Sequence, residues 1–166
     1  MQLAQAAAGG VWSPNGRMIA FANRNNGNAL EVYDLVEDEQ ISVRTSLVRS
    51  VKLGFCWSPD SRWLAFSGDR RDGRGVIARV KVSGQLGETE ELLSSVSPDR
   101  LSWHPDGSKL VYSEQKKDRH RLFTIDATSP NSSPTEVTGI PMTLSAAVPT
   151  WSPDGKRIVI VALPAK

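Results

Sequence analysis

A single cysteine, Cys56, is present among 166 residues, so no disulfide can form within the chain. It lies beside Trp57 in an apolar stretch, which suits a buried structural thiol better than a reactive one. Histidine is almost as scarce, with only His104 and His120. The HExxH helix, paired CxxC, the phosphate loop and the EF-hand loop are all missing, so no metal and no cofactor is expected. There is no GxSxG nucleophile elbow either, and the chain is expected not to be an enzyme. Long apolar runs are also lacking: Ile158 to Leu163 is far short of the roughly 20 residues that a membrane-spanning helix needs. The N-terminal stretch Met1 to Ala8 has small residues but neither a basic segment nor an apolar core, so it is no intact signal peptide, and no compartment follows from it. Neither charge dominates, with 20 basic and 18 acidic residues for a net +2. A general attraction to nucleic acid is therefore not expected, and the basic stretches lack interleaved aromatics for stacking on bases.

What is present is a repeat. Four segments align without gaps: Trp12–Phe21 (WSPNGRMIAF), Trp57–Phe66 (WSPDSRWLAF), Trp103–Tyr112 (WHPDGSKLVY) and Trp151–Ile160 (WSPDGKRIVI), their tryptophans 45, 46 and 48 residues apart. That period belongs to propeller blades of four strands, and the strand-like patterning between the motifs argues against helical repeats. Proline stands second in a turn, where its fixed φ is already correct; Asp or Asn follows, then glycine for a left-handed conformation. The residue before proline is pushed to extended geometry, as the end of an incoming strand requires. In the outgoing strand, large apolar residues two apart, such as Ile19 and Phe21 or Leu110 and Tyr112, suit a strand covered on both faces. Ser61 stands where the other repeats have glycine, which predicts strain or another turn type there. Trp12, Trp57, Trp103 and Trp151 are expected to fill space between blades rather than to stack on a ligand.

These motifs resemble the WD40-like (WSPDG, PD40) repeat of the TolB family, also found in tricorn protease and in the propellers of prolyl-oligopeptidase-type enzymes. The resemblance extends over nearly the whole chain. It implies an all-β propeller of four-stranded antiparallel blades and points to a periplasmic or otherwise extracytoplasmic setting.

The pattern places strands near 7–13, 17–23, 29–36 and 41–48 in a first blade spanning about 7–48. A second blade, about 51–96, has them near 51–58, 62–68, 75–83 and 90–96. A third, about 99–139, has them near 99–104, 109–115, 121–127 and 135–139. A half blade, about 144–163, has strands near 144–152 and 156–163. Asn26-Gly27, Asp72-Gly73 and the Ser129–Pro134 stretch are turn punctuation. Three and a half blades form an incomplete ring, whereas propellers usually close on themselves. Ile158, Val159, Ile160 and Val161 would form an apolar strand unpaired on one side, which invites another strand. Three explanations stand open. The chain is a segment of a longer propeller, it is completed by a second copy or another chain, or it persists as an arc whose edge is capped by its own termini around Leu3 to Ala8.

Charge placement is the remaining signal. Connections after the second and fourth strands of a blade share one face of the disc. On it fall Arg49, Lys52, Arg70, Arg71, Arg74, Lys116, Lys117, Arg119, His120 and Arg121, the candidate partner-binding residues. The opposite face receives Glu37, Asp38, Glu39, Glu88, Glu90 and Glu91, with Asp60, Asp106 and Asp154 of the motif turns. Charged turns are often only solvated; the sharper expectation is an acidic protein partner on the basic face. The resemblance then implies a non-enzymatic interaction scaffold. The alternatives are a gating propeller from a prolyl-oligopeptidase-type peptidase, or the sensor propeller of a multidomain signalling protein.

Overall fold

The computed structural model describes residues 7–26, 29–43, 45–83, 85–117, 119–141 and 143–164. Fourteen strands are found among them, with no helix beyond one 3-10 turn at Arg24–Asn26. The first blade is built from β1 (Ala7–Trp12), β2 (Met18–Asn23), β3 (Ala29–Asp34) and β4 (Glu39–Ser42). The second has β5 (Ser50–Trp57), β6 (Trp63–Asp69), β7 (Gly75–Ser83) and β8 (Gln85–Ser94). The third has β9 (Pro98–Trp103), β10 (Lys109–Lys116), β11 (Arg119–Asp126) and β12 (Thr135–Glu136). A two-stranded sheet, β13 (Leu144–Trp151) with β14 (Ile158–Pro164), ends the described chain. Strands pair in sequence order and antiparallel within every sheet, which is the meander of a propeller blade.

Several strand limits differ from the sequence pattern. β4 ends at Ser42; Val43, its N–H still bonded to the Leu30 carbonyl of β3 at 2.8 Å, lies in the core with Leu47 and Val48 packed against it. β8 begins at Gln85 and keeps pairing with β7 by shifting register twice. β12 is reduced to Thr135–Glu136; the left-handed Gly139 and then Pro141 lead the chain toward β13. Gly27 lies outside the described residues, as do Leu3 to Gln5 and Ala6, so only part of those two expectations meets the structure. Ala7 and Ala8 pair with Asn23 and Ala22 inside the first blade.

The four motif turns share one hydrogen-bond design. In the first, second and fourth, the serine N–H donates back to the carbonyl five residues on, at Met18, Trp63 and Arg157. The same serine's Oγ accepts from that residue's N–H and donates to the Asx side chain: Ser13 to Asn15, Ser58 to Asp60, Ser152 to Asp154. The fourth turn residue is left-handed throughout, with φ of 72° at Gly16, 60° at Ser61, 82° at Gly107 and 69° at Gly155. Ser61 is thus a strained exception, and its Oγ accepts the Asn15 N–H at 3.1 Å, a bond that glycine could not make.

Two core clusters lie between blades. One joins Ala20, Ala22, Leu30 and Val32 of the first blade to Trp57, Leu64 and Phe66 of the second. The other joins Ala65, Ile77 and Leu92 of the second to Trp103, Leu110 and Tyr112 of the third. Trp57 and Trp103 therefore each lean on the preceding blade. Trp57 and Trp103 are buried, at 6% and 8% exposure, but Trp12 is 59% exposed because no described blade precedes it. Trp151 is half-buried against the edge of His104. The expectation that all four tryptophans lie in the core is corrected for Trp12.

Candidate functional site

Residues of the innermost strands β5, β9 and β13 meet on one face, at the mouth of the propeller's central channel. The first three residues of β5 and the start of β9 meet the end of β6 there, with Arg24 from the turn after β2. A depression of 730 Å³ results, lined by residues of the three blades and the half blade. Arg24 comes from the first blade, Lys52 and Asp69 from the second, Asp99, Arg100 and His120 from the third, and Val148 from the half blade. Lys52 pairs with Asp69 at 3.1 Å, and the His120 Nε2 lies 2.6 Å from Asp99. On the imidazole's other side, Nδ1 is 3.3 Å from the Ser145 Oγ, which also accepts the His120 backbone N–H at 2.8 Å. Carboxylate, imidazole and hydroxyl thus lie in a row. Ser145 is buried, and its oxygen is held by the backbone, so what the row does is tie the third blade to the half blade. Val148 has φ 50°, strained for a β-branched residue, where the first repeat carries Gly9 at 68°.

The outlying basic residues behave differently from the expectation of a uniformly basic face. Arg70 is paired with Glu91, and Arg74 with Asp72 at 2.6 Å. Lys116 meets Glu114 at 2.9 Å, and Arg121 meets Glu136 at 3.3 Å. Arg119 is buried at 8% exposure, while Arg49, Arg71 and Lys117 are exposed. The predicted division into a basic and an acidic face is therefore corrected. Carboxylates interleave with the cations, and Glu91, assigned to the acidic face, reaches Arg70 because β8 runs back along β7 toward that turn.

On the other face the acidic residues are equally engaged. Glu37 meets Arg17 at 3.1 Å, and Asp38 bonds the Tyr33 hydroxyl. Glu90 is held by Arg79, whose guanidinium lies 4.1 Å over the Trp63 ring and reaches the carbonyls of Ala127 and Thr128 in the third blade. The motif carboxylates cap their own turns. The Ser108 hydroxyl and N–H, with lesser help from His104, hold the Asp106 carboxyl down at about 2. Bonds from Ser152 and the Lys156 N–H likewise depress Asp154. His104, standing where other turns have serine, bridges blades instead, its Nε2 3.1 Å from the Gly155 carbonyl. Burial pushes the Cys56 thiol up to about 12. Among the described residues no three His, Cys, Asp or Glu side chains are grouped to hold a metal ion, and no helix is long and apolar enough to cross a membrane.

Of the predicted basic set, Lys52 lines the channel mouth, joined there by His120; Arg24, Asp69, Asp99, Arg100 and Val148 were not singled out in advance. A signal for some of them existed. Asp99, Arg100 and Val148 stand three or four residues before a motif tryptophan, and in the third and fourth repeats that upstream stretch lines the depression.

No family model matches the chain. It is similar to an uncharacterized protein of Agrobacterium fabrum, 26% identical over 161 residues, covering 90% of this chain and 53% of the relative. Among solved structures it is similar to TolB from Acinetobacter baumannii, with a TM-score of 0.74 at 19% identity, covering 95% of this chain and 38% of that one. It is also similar to the β-propeller domain of the trilobed protease from Pyrococcus furiosus, described as having an open velcro topology: TM-score 0.62, 19% identity, 96% of this chain and 51% of that one. The chain spans about half the length of the curated relative it matches. The fold is thus that of an incomplete β-propeller, like TolB and like peptidase-associated propellers alike.

Proposed function

We propose that this chain is a non-enzymatic interaction module of the TolB-like, WD40-like repeat type, and that it presents its channel mouth to a carboxylate-bearing protein partner. The observation that carries the reading is the 730 Å³ depression to which the three blades and the half blade all contribute. Arg24, Lys52 and Arg100 bring three permanent cations to it, against the carboxylates of Asp69 and Asp99. Concave walls of low polarizability focus such a field, and a peptide segment is of a size to enter.

The test is titration of an oligoglutamate peptide followed by backbone NMR. Shifts should concentrate at Arg24, Lys52, Arg100 and His120, weaken with salt and vanish in Lys52→Glu with Arg24→Glu. Shifts confined to Arg71 and Lys117, or none at all, overturn the reading. A second reading, a gating propeller of a peptidase, is supported by the likeness to a protease propeller. It requires a catalytic domain alongside these blades in the full-length protein, which the neighbouring gene sequence would reveal.

A further inference from the structure

The motif turns of successive repeats lie side by side on the face opposite the channel mouth, and two of their three junctions are bridged by a side chain. Ser61, fourth in the second turn, reaches back and accepts the Asn15 N–H of the first at 3.1 Å. His104, first in the third turn, reaches forward, its Nε2 3.1 Å from the Gly155 carbonyl of the fourth. Neither bridge forms between the second and third turns among the described residues. The place of Ser61 is taken there by Gly107, which has no side chain to offer. The place of His104 is taken by Ser58, whose Oγ is already committed to Asp60 and to the Trp63 N–H. A cavity of 340 Å³ opens at this junction, between the second and third blades, each of which has all four strands.

The cavity has an aromatic wall and an acidic rim. Trp63 and Trp103 line it beside the buried Arg79, whose charge is met by Glu90 at 2.6 Å. Asp60 and Asp106 are exposed at its edge. The donors of each turn converge on one carboxylate oxygen. Ser58 and the Arg62 N–H bond the Asp60 Oδ1; the Ser108 hydroxyl and N–H bond the Asp106 Oδ1, with the His104 Nδ1 2.7 Å away. Both Oδ2 atoms are thereby left to accept from outside. We propose that the cavity takes a lysine or arginine side chain of a protein partner, its charged head at the carboxylates of Asp60 and Asp106 and its methylene stem against the two tryptophans. Charge complementarity selects this occupant. Glu90 balances Arg79, and Arg62, the cation acting on Asp60, is exposed to solvent screening, so two carboxylates remain over an aromatic wall. The site is separate from the channel mouth and does not depend on the role proposed for it.

The test is titration of the chain with a blocked pentapeptide carrying one lysine among glycines, followed by NMR. Shifts should gather at the backbone amides of Asp60, Gly107 and Thr128 and at the indole N–H groups of Trp63 and Trp103. They should weaken with salt and be absent when glutamine replaces the lysine. Asp60→Asn with Asp106→Asn keeps the turn caps, as Asn15 does in the first repeat, and should weaken binding about tenfold or more. Thr128→Lys, at an exposed position on the cavity, should supply the cation from within and abolish binding with circular dichroism unchanged. Equal shifts with the glutamine peptide overturn the proposal, as do shifts centred instead on Arg24, Lys52 and His120. It is equally overturned by undiminished binding in either variant, or by no shifts at about 10 mM peptide, where even a millimolar site is filled.

Discussion

The indole N–H of Trp57 donates to the Val11 carbonyl at 3.2 Å, tying the second blade to the innermost strand of the first. Trp57 is also part of the first core cluster, so truncation empties a packed site and orphans a carbonyl. Trp57→Ala should cost about 3–5 kcal/mol in chemical denaturation. Trp12→Ala, at the same place in the motif, should cost under about 1 kcal/mol in dilute monomer because its ring is exposed. Equal losses at the two sites would mean that the blade register is wrong.

Arg79 is the second tie between blades. Its guanidinium meets Glu90 at 2.6 Å and also serves two carbonyls of the third blade. Arg79→Met should destabilise by about 2–4 kcal/mol, since charged hydrogen bonds are lost and acceptors are left behind. Arg79→Lys should recover little, as one ammonium cannot reproduce the planar fork or its stacking on Trp63. Urea midpoints of the two variants measure this, and full rescue by lysine would refute it.

Acid should loosen the motif turns. Asp60, Asp106 and Asp154 have folded pKa values below those of free aspartate, at about 2 for Asp106. Their contribution is therefore fully present above roughly pH 4, the unfolded value, and is lost as pH falls through the folded values. The first turn achieves the same cap with Asn15, which does not titrate. Asp106→Asn should accordingly flatten the fall in thermal midpoint between about pH 5 and pH 2. An unchanged slope would show that the carboxylate is not held in solution.

Cys56 should be inert in the native state. Burial holds its thiol near 12, leaving almost no thiolate at neutral pH, and the thiolate is the reactive form. Labelling by a thiol-specific disulfide reagent at about pH 8 should follow unfolding, accelerating only with denaturant. Rapid stoichiometric labelling without denaturant would contradict this.

Amides of β14 should exchange hydrogen faster than those of β6 or β10. β14 pairs with β13 alone, whereas β6 and β10 are paired on both sides. Exchange mass spectrometry resolving residues 158–163 from 63–69 would show it, and protection equal to β6 would require a second strand on that edge.

The blades themselves were legible from the amino acids. A Trp-Ser-Pro-Asx turn at near-constant spacing dictates local backbone geometry, and turn geometry combined with alternating apolar residues settles which strands pair. Even the strain at Ser61 could be read, because left-handed backbone penalises any residue other than glycine. What each side chain meets across a blade boundary was another matter. Trp12 and Trp57 hold the same place in the motif, yet one is exposed and the other buried, because burial is decided by whether a blade lies alongside. The same holds for charge: Arg70 and Glu91 stand 21 residues apart and in turns assigned to opposite faces, and only the antiparallel return of β8 brings them together. The channel mouth likewise gathers Arg24, Lys52, Asp99 and Val148 from three blades and the half blade. Spacing along the chain governs local conformation, while contact between distant residues depends on how the sheets are stacked around the axis, and that is what formed the depression.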